Sequence, residues 1–413
     1  MSPQECFVYF DHLTLGPPPL MGRLSISQTR GKSFFTFAFD PHFMKTQRLA
    51  QLDPELHFYA GPQYTNKANF GLFLDSAPDR WGRRLMQRRE ALLAQQENRP
   101  PRKLQEPDYL LGVYDETRMG AIRFKMEPTG PYQSHLKALA TPPWTYLREL
   151  EEACRKFDHE QPLTDEARWL SMLIAPGSSL GGARPKANVL DPQGALWIAK
   201  FPSKTDDYNV AAWEYLTTQM ARDAGLRVPH CKLEKYSKYG STFLTQRFDR
   251  QDTRRLHFAS AMTLLGKTDG AHAQEGASYL ELAAFITQQG HQPTEDLEEL
   301  WRRIVFSIAV SNTDDHLRNH GFLLSSNGWR LSPAYDINPN PEGQGLSLNL
   351  SETSNALDFG LALEVAPAFR LTQQKANAIL HQIRTVVARY ADYASALHLS
   401  RYEISQLAPA FNV

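Results

Sequence analysis

The sequence has few cysteines and no long apolar run. Its three cysteines, Cys6, Cys154 and Cys231, lie far apart, so neither a disulfide framework nor a zinc-ligand spacing follows from them. No stretch approaches the roughly 18 apolar residues of a membrane span. The first residues, MSPQECFVYF, lack the basic segment and apolar run of a signal peptide. These absences argue against secreted disulfide-rich and membrane-spanning classes, and we expect a cytoplasmic protein.

The chain also lacks an excess of charge of either sign. Its 45 Lys and Arg residues balance 45 Asp and Glu residues, which argues against a protein whose main role is to neutralise a nucleic-acid backbone. One stretch departs from this balance, since Arg80–Lys103 holds eight basic and two acidic residues. We interpret it as a solvated basic helix face, with a DNA contact as the alternative.

Secondary-structure signals change in character along the chain. The first part alternates apolar and polar residues between Gly and Pro, which predicts short strands, and one helix that starts at Pro78 interrupts them. Beyond a proline-rich boundary come a helix, a hairpin around Asp-Pro-Gln-Gly and several long helical runs. We predict a two-lobed α+β fold with a β-rich subdomain at 1–135, a small lobe at 145–250 and a helical large lobe at 251–413.

A loop rich in glycine and serine, GSSLGGARPK, occupies residues 177–186. Gly177, Gly181 and Gly182 permit close backbone approach and positive φ, so the amides of this loop can face phosphate oxygens. The loop lacks the GxxxxGK[ST] spacing of a Walker loop and the GxGxxG of ordinary protein kinases. Taken alone, such a loop is more often a plain turn than a phosphate site.

A lysine follows this loop at the end of a predicted strand. Lys200 in LWIAKF is similar in setting to the strand lysine of VAIK in protein kinases, which pairs with ATP phosphates. Glu214 lies on the next predicted helix, where a kinase places the glutamate that pairs with this lysine. The alternatives are an edge-strand lysine with its ammonium in water and a glutamate on a solvated helix face.

The segment IAVSNTDDHLRNHGFLL holds the most informative spacing. Asp314 and Asn319 stand in the pattern D-x-x-x-x-N of a kinase catalytic loop, in which the aspartate accepts the proton of the substrate hydroxyl and the asparagine binds metal. Asp336 follows in SPAYDI, at the place of the kinase aspartate that binds Mg²⁺. Asp315 is a rival base, although its spacing to Asn319 is one residue short.

The neighbouring His316 has two interpretations. It contacts phosphate or Asp336, or it holds the loop through hydrogen bonds. Acidic and amide side chains also cap helices and turns, which is the structural alternative for this segment. Loop, lysine, D-x-x-x-x-N motif and second aspartate nevertheless occur in kinase order with plausible gaps. Together they predict phosphoryl transfer from ATP with Mg²⁺.

Several longer motifs resemble the HipA family, the kinase toxins of bacterial toxin–antitoxin pairs. In the C-terminal part they are SSLGGARPK, LWIAKFP, LTQRFDR, NTDDHLRNHGF and LSPAYDINP. FGLFLDSAPDRWGRRL (70–85) and DYLLGVYDETRMGAIRF (108–124) are similar to the N-terminal domain of that family. The resemblance covers nearly the whole chain. It implies a protein-kinase-like fold of the HipA type with a small β-rich N-terminal subdomain.

The resemblance also implies a role for each matching position. Asp314 resembles the catalytic aspartate, and Asn319 and Asp336 resemble the Mg²⁺ ligands. Ser179 aligns with an autophosphorylated serine, with Ser178 as the adjacent alternative. The implied ATP-binding residues are Lys200, Ser179, Leu180, Gly181, Gly182, Ala183, Lys186, Gln246, Phe248 and His316.

Two of these matches carry further detail. The backbone at Gln246 and Phe248 resembles the family's hinge, which meets adenine. Arg184 and Pro185 stand where some members have Gln-Glu. Because proline removes an amide donor and stiffens the chain, the loop should move less readily than in those members.

The resemblance further implies partners. It suggests a substrate in the translation machinery, such as an aminoacyl-tRNA synthetase, growth arrest, and a DNA-binding antitoxin of the HipB type. DNA would then be contacted only indirectly or weakly. One alternative is a small-molecule kinase, against which the N-terminal motifs argue. The other is a non-catalytic co-repressor that uses the kinase fold, against which the complete acidic set argues.

Overall fold

The computed structural model describes residues 4–29, 31–47, 49–135, 141–161, 166–174 and 182–413. The chain divides into two compact units. The first consists of Met1–Lys204 with Gln246–Ala259, and the second of Thr205–Thr245 with Ser260–Val413. In these described ranges, no helix is long and apolar enough to cross a membrane.

Helices and strands alternate irregularly along the chain. Up to residue 204 they are β1 Gln4–Phe10, β2 Leu20–Thr29, β3 Lys32–Phe39, α1 Pro41–Thr46, β4 Gln63–Tyr64, α2 Gly71–Leu74, α3 Arg80–Gln96, α4 Glu106–Gly112, β5 Ile122–Lys125, α5 Leu147–Asp158, α6 Glu166–Ile174, β6 Lys186–Leu190 and β7 Leu196–Lys200. After residue 204 they are α7 Val210–Asp223, β8 Cys231–Glu234, β9 Thr242–Gln246, β10 Arg250–Gln251, β11 Arg254–Arg255, β12 Phe258–Ser260, α8 Ala261–Leu264, α9 Tyr279–Gln289, α10 Pro293–Ala309, β13 Gly321–Ser325, β14 Gly328–Leu331, α11 Phe359–Val365, α12 Gln373–Val387, α13 Tyr390–Ala396 and α14 Arg401–Leu407.

An antiparallel sheet of five strands, in the order β4-β3-β2-β1-β5, lies in the first unit. Its register places Leu24 between Cys6 and Phe37, and all three side chains are fully buried. On β3, Phe35 is buried whereas Phe34 is 51% exposed, because successive side chains of a strand point to opposite faces. The strands predicted for the N-terminal region are confirmed, and the structure shows that they pair antiparallel.

Helix α3 begins at Arg80, so the predicted start at Pro78 was wrong by two residues. The side chain of Asp79 accepts a hydrogen bond from the backbone nitrogen of Gly82 at 2.8 Å. This bond satisfies one of the free amides at the helix start and makes Asp79 the N-cap. Pro78 therefore lies outside the helix, and its carbonyl accepts a hydrogen bond from Nε of Arg83.

The β6–β7 hairpin forms around the predicted Asp-Pro-Gln-Gly turn. Oδ1 of Asp191 accepts hydrogen bonds from the backbone nitrogens of Gln193 at 2.9 Å and Ala195 at 2.8 Å. Gly194 has a φ of +84°, which glycine adopts without steric cost. Local turn chemistry thus sets the register that pairs Lys186 with Lys200 at the open end of the hairpin.

A fully buried ion pair anchors the returning segment of the first unit. The guanidinium of Arg247 donates two hydrogen bonds to Asp249, at 2.8 and 2.7 Å, and both side chains are inaccessible to solvent. The backbone nitrogen of Gly120 donates to the same carboxylate at 2.9 Å. Although burial alone would raise the pKa of Asp249, Arg247 and Arg250 together hold it below its usual range.

Helix α10 forms the centre of the second unit, where it packs against α9, α11 and α12. Trp301, Ile304 and Ile308 on this helix are fully buried. The indole nitrogen of Trp301 donates to the carbonyl oxygen of Ala362 at 3.0 Å. This packing fixes the direction of α10, whose last residue, Ala309, leads into the segment that holds Asp314.

The observed elements match most of the predicted ones. Helix α7 ends before Gly225, which has a left-handed φ of +84°. The last predicted helical run is divided into α12 and α13, because the chain turns at Ala388 and Arg389. The predicted α+β class is confirmed.

Replacing Asp249 with Asn should lower the free energy of unfolding by about 3–5 kcal/mol, because it leaves buried guanidinium charge uncompensated. The folded-state pKa of Asp249 is depressed, so its contribution is complete above about pH 4 and is lost as the pH falls. Urea unfolding of wild type and Asp249→Asn as a function of pH measures both effects.

The matched control for this prediction is Glu116→Gln. Glu116 pairs with Arg123 in the same unit but is 63% exposed, so its loss should cost less than about 1 kcal/mol. Equal decreases in the free energy of unfolding of Asp249→Asn and Glu116→Gln would contradict the importance of the buried pair.

Candidate active site

The segment after α10 makes a tight loop that separates two adjacent carboxylates. Ser311 has a φ of +46°, and the backbone nitrogen of His316 donates to the carbonyl oxygen of Asp314 at 2.9 Å. Leu317 is 2% exposed and holds the loop on the core of its unit. The side chain of Asp314 is exposed, whereas Asp315 is 6% exposed.

The buried carboxylate of Asp315 is hydrogen-bonded from several directions. The hydroxyl of Tyr279 donates to Oδ2 at 2.8 Å, the hydroxyl of Ser307 lies 3.4 Å from the same oxygen, and Nε2 of His320 lies 3.1 Å from Oδ1. Burial alone would raise the pKa of Asp315, but His320 and the hydrogen bond from Tyr279 keep it lowered. Asp315 is therefore a structural anchor, and the exposed carboxylate of Asp314 is the one that can reach a substrate.

Asn319 is oriented by one hydrogen bond. Its Nδ2 donates to the carbonyl oxygen of Asp314 at 2.8 Å, and the residue is 4% exposed. Because the amide nitrogen is engaged, Oδ1 points the other way, and this buried oxygen has no hydrogen-bond partner among the described residues. A buried acceptor without a donor costs free energy, which a cation would recover. The amide of Asn319 thus fits a metal ligand.

The segment around Asp336 is tied to the same loop. The hydroxyl of Tyr335 donates to the carbonyl oxygen of Arg318 at 2.7 Å, and the backbone nitrogen of Asn338 donates to Oδ1 of Asn312 at 3.3 Å. Asp336 itself has a φ of +59°, a conformation that costs free energy for a non-glycine residue and is concentrated at functional sites. The structure thus brings the segments of Asp314, Asn319 and Asp336 together.

The oxygen ligands suit a hard divalent ion. Among the described residues, no group of three or more His, Cys, Asp or Glu side chains is arranged to hold a metal. Mg²⁺ is commonly bound by one or two carboxylates with water and substrate phosphates, and without a full protein cage. Asp336 and Asn319 fit this sparse arrangement.

The two lysines predicted to contact phosphate are neighbours in the first unit. Lys186 and Lys200 are directly opposed in the β6–β7 hairpin, so their side chains lie on one face. They are 5% and 9% exposed. Oδ2 of Asp79 lies 2.9 Å from Nζ of Lys186. The hairpin thus places two lysines where the glycine-rich loop ends.

Asp79 and Trp81 connect the N-terminal sequence to this hairpin. The indole nitrogen of Trp81 donates to the carbonyl oxygen of Lys186 at 2.9 Å. Asp79 caps α3 and at the same time pairs with Lys186. Sequence analysis assigned neither residue a role in the site. The only local signal was their position at the start of a helix, which says nothing about a partner about one hundred residues away.

Part of the predicted phosphate loop lies outside the described residues, namely Gly177, Ser178, Ser179, Leu180 and Gly181. Of the remaining loop positions, Gly182 has a φ of +89°, and a Cβ added there would lie 3.4 Å from Nζ of Lys186. Gly182 and Ala183 are exposed, and the carbonyl oxygen of Pro185 accepts a hydrogen bond from the backbone nitrogen of Phe201 at 2.9 Å. The loop therefore leads directly into the hairpin.

The predicted hinge lies where β9 ends. Gln246 is the last residue of that strand, and Arg247 and Phe248 follow it outside the strand. The backbone nitrogen of Arg247 donates to the carbonyl oxygen of Leu196 at 2.9 Å. The contact of Gln246 and Phe248 with adenine stays a prediction.

His316 remains compatible with both of its interpretations. Its backbone carbonyl accepts a hydrogen bond from the backbone nitrogen of Asn319 at 2.8 Å, so its main chain does hold the loop. Its Nδ1 is buried and has no hydrogen-bond partner among the described residues. A phosphate oxygen would satisfy that nitrogen when it carries a proton.

Comparison with known proteins agrees with the HipA resemblance. A "Putative kinase" of Haemophilus influenzae is 29% identical over 40% of this chain and 54% of that protein. The serine/threonine-protein kinase toxin HipA of Shewanella oneidensis is 21% identical over 39% of this chain and 43% of its own. The chain therefore spans about half the length of the curated relatives it matches.

A solved structure matches almost the whole chain. It comes from the Shewanella oneidensis MR-1 toxin–antitoxin complex of HipA, HipB and operator DNA, and it covers 98% of this chain and 94% of its own, with a TM-score of 0.68. At 18% identity the likeness establishes the fold alone. The predicted HipA-type fold is thereby confirmed.

The family model described as the HipA-like C-terminal domain matches residues 178–390. This range includes the glycine-rich loop, both lysines, the hinge, and the Asp314 and Asp336 segments. Because the match covers more than half of the chain, the protein belongs to the HipA-like family.

Proposed function

We propose that the protein is an ATP- and Mg²⁺-dependent protein serine/threonine kinase. The observation that supports this proposal is the difference in environment between two adjacent carboxylates, those of Asp314 and Asp315. Asp315 is buried and fixed by Tyr279, Ser307 and His320, which presents Asp314 on a rigid loop. Phosphoryl transfer depends mainly on such positioning and on electrostatic stabilisation.

In the proposed reaction, Asp314 accepts the proton of a Ser or Thr hydroxyl. The hydroxyl oxygen then forms a bond to the γ-phosphorus of ATP, and the bond from that phosphorus to the β–γ bridging oxygen breaks, so ADP leaves. Mg²⁺, when bound, neutralises the phosphate charge. Asn319 and Asp336 would hold the ion, and Lys186 and Lys200 would attract the phosphates. Gln246 and Phe248 would offer backbone groups to adenine.

Replacing Asp314 with Asn should lower the rate of phosphate transfer from γ-labelled ATP by at least roughly 100-fold, the scale of a general base. The unfolding temperature should stay unchanged because this side chain is exposed. Asp315→Asn should instead lower the unfolding temperature, because Tyr279 and His320 lose a charged partner. If Asp314→Asn stays active and Asp315→Asn is folded but inactive, then Asp315 is the base and the assignment of Asp314 is wrong.

Replacing Asn319 with Leu should raise the Mg²⁺ concentration needed for half-maximal transfer roughly tenfold, the scale of losing one contact at a metal site. The control is Asn355→Leu, which also removes an amide that donates to a backbone carbonyl, that of Leu346 at 2.6 Å. The same Mg²⁺ dependence in both variants would contradict the assignment of Asn319 as a metal ligand.

We also propose that the kinase phosphorylates itself on Ser179, or on the adjacent Ser178. A phosphate there adds nearly two negative charges beside the loop that binds ATP phosphates, so it should switch the enzyme off. Mass spectrometry should find phosphate on this serine in wild type and none in Asp314→Asn. Phosphate on the inactive variant would exclude self-modification.

Partners follow by analogy with the relatives. The matched Shewanella structure contains HipB and operator DNA, and we propose a DNA-binding antitoxin of that type for this chain. We propose a protein of the translation machinery as substrate, with growth arrest as the consequence. Size-exclusion chromatography with a HipB-type protein, with and without operator DNA, tests the first proposal. Failure to co-elute in either mixture would contradict it.

A further inference from the structure

The residue directly before Asp314 is held by the segment that follows Asp336. Nδ2 of Asn340 donates to Oγ1 of Thr313 at 2.8 Å. The hydroxyl of Ser347 donates to the carbonyl oxygen of Thr313 at 2.7 Å. The side-chain oxygen and the carbonyl oxygen of Thr313 thus both accept hydrogen bonds from one stretch of chain, residues 340–347.

Asn340 is itself fixed, so its amide is a rigid partner. Its Oδ1 accepts a hydrogen bond from the backbone nitrogen of Glu342 at 3.0 Å, and its carbonyl oxygen accepts one from the backbone nitrogen of Gly343 at 3.2 Å. Its backbone nitrogen donates to the carbonyl oxygen of Ser311 at 3.2 Å. The turn at Asn340 therefore binds both Ser311 and Thr313.

Gly343 packs directly on Thr313. A Cβ at this position would lie 2.5 Å from Cγ2 and 2.9 Å from Oγ1 of Thr313, distances that require one of the two to move. Gly343 is not among the glycines with positive φ, so its backbone conformation does not require glycine. Glycine is required here because a larger residue would clash with Thr313.

Ser347 is anchored on its far side. Its carbonyl oxygen accepts a hydrogen bond from the backbone nitrogen of Ala273 at 2.8 Å. The contacts to Thr313 join uncharged groups, namely two hydroxyls, one side-chain amide and one backbone carbonyl. They can therefore form without any modification of residues 340–347.

We propose that Thr313 is a positioning residue, which the clasp of Asn340, Gly343 and Ser347 holds so that Asp314 points at the attacking hydroxyl. This inference rests on the proposed kinase function. The clasp fixes the peptide that leads into Asp314, whereas the contacts of Asp315 fix the peptide after it. A small displacement of a catalytic group can cost up to about 100-fold in rate.

Four variants test the clasp through the rate of label transfer from γ-labelled ATP to the protein itself. Thr313→Val removes the hydroxyl and should lower the rate at saturating ATP roughly tenfold, with the half-saturating ATP concentration unchanged. Thr313→Ser keeps the hydroxyl and should stay within about threefold of wild type. Gly343→Ala should be slowed like Thr313→Val.

The decisive variant combines Gly343→Ala with Thr313→Ser. Serine lacks the Cγ2 atom that the new methyl group meets most closely. The double variant should therefore recover at least half of the decrease in the logarithm of the transfer rate that Gly343→Ala causes. Because the two residues are in contact, their effects on stability need not add, and stability is therefore controlled separately. Rates are compared at equal amounts of folded protein, established by urea unfolding.

Thr385→Val is the matched control, since it removes a hydroxyl that donates to the carbonyl oxygen of His381 on α12, at 2.8 Å. Wild-type rates in Thr313→Val and Gly343→Ala would overturn the inference, as would a double variant no faster than Gly343→Ala or a control slowed as much as Thr313→Val. If the wild-type protein labels only proteins of a cell extract, the same variants are compared through that label. A wild-type protein that labels neither itself nor any protein of the extract would instead contradict the kinase proposal, and this inference with it.

Discussion

The proposed chemistry depends on the burial of one carboxylate, that of Asp315. A buried charge without partners is expensive, so this side chain requires the hydroxyl of Tyr279 on α9, the hydroxyl of Ser307 on α10 and the imidazole of His320 after the loop. Meeting that requirement joins two helices and the residue that precedes β13 at one point. These contacts also fix the backbone of the preceding residue, Asp314, whose side chain then faces solvent.

A second electrostatic constraint operates in the first unit. The β6–β7 register opposes Lys186 and Lys200, an arrangement that is unfavourable by itself because like charges directly opposite destabilise a sheet. Asp79 offsets part of that repulsion, and Trp81 binds the carbonyl of Lys186. The stretch around residue 80 is therefore a support for the lysine hairpin, in addition to starting a helix. A phosphate ligand would be attracted by the ammonium groups of these lysines.

The sequence was informative where structure is decided locally. The Asp-Pro-Gln-Gly turn and the long helical runs predicted their elements, because turn chemistry and periodicity act over a few residues. The pairing of Asp79 with Lys186, and of Asn340 with Thr313, joins side chains that a single sequence does not relate. Spacing to Asn319 favoured Asp314 over Asp315 in the sequence, and the burial of Asp315 separates the two in the structure. The longer motifs predicted the family by resemblance, whereas the contacts that support the site became visible only in the fold.

The central claim is transfer of the γ-phosphoryl group of ATP to a hydroxyl of a protein. Its most direct test is incubation of the purified protein with γ-³²P-labelled ATP and a bacterial cell extract, followed by phosphoamino-acid analysis of the labelled bands. The account predicts phosphoserine or phosphothreonine in protein, and no label from α-³²P-labelled ATP. Label confined to small molecules, or no transfer at all, would contradict it.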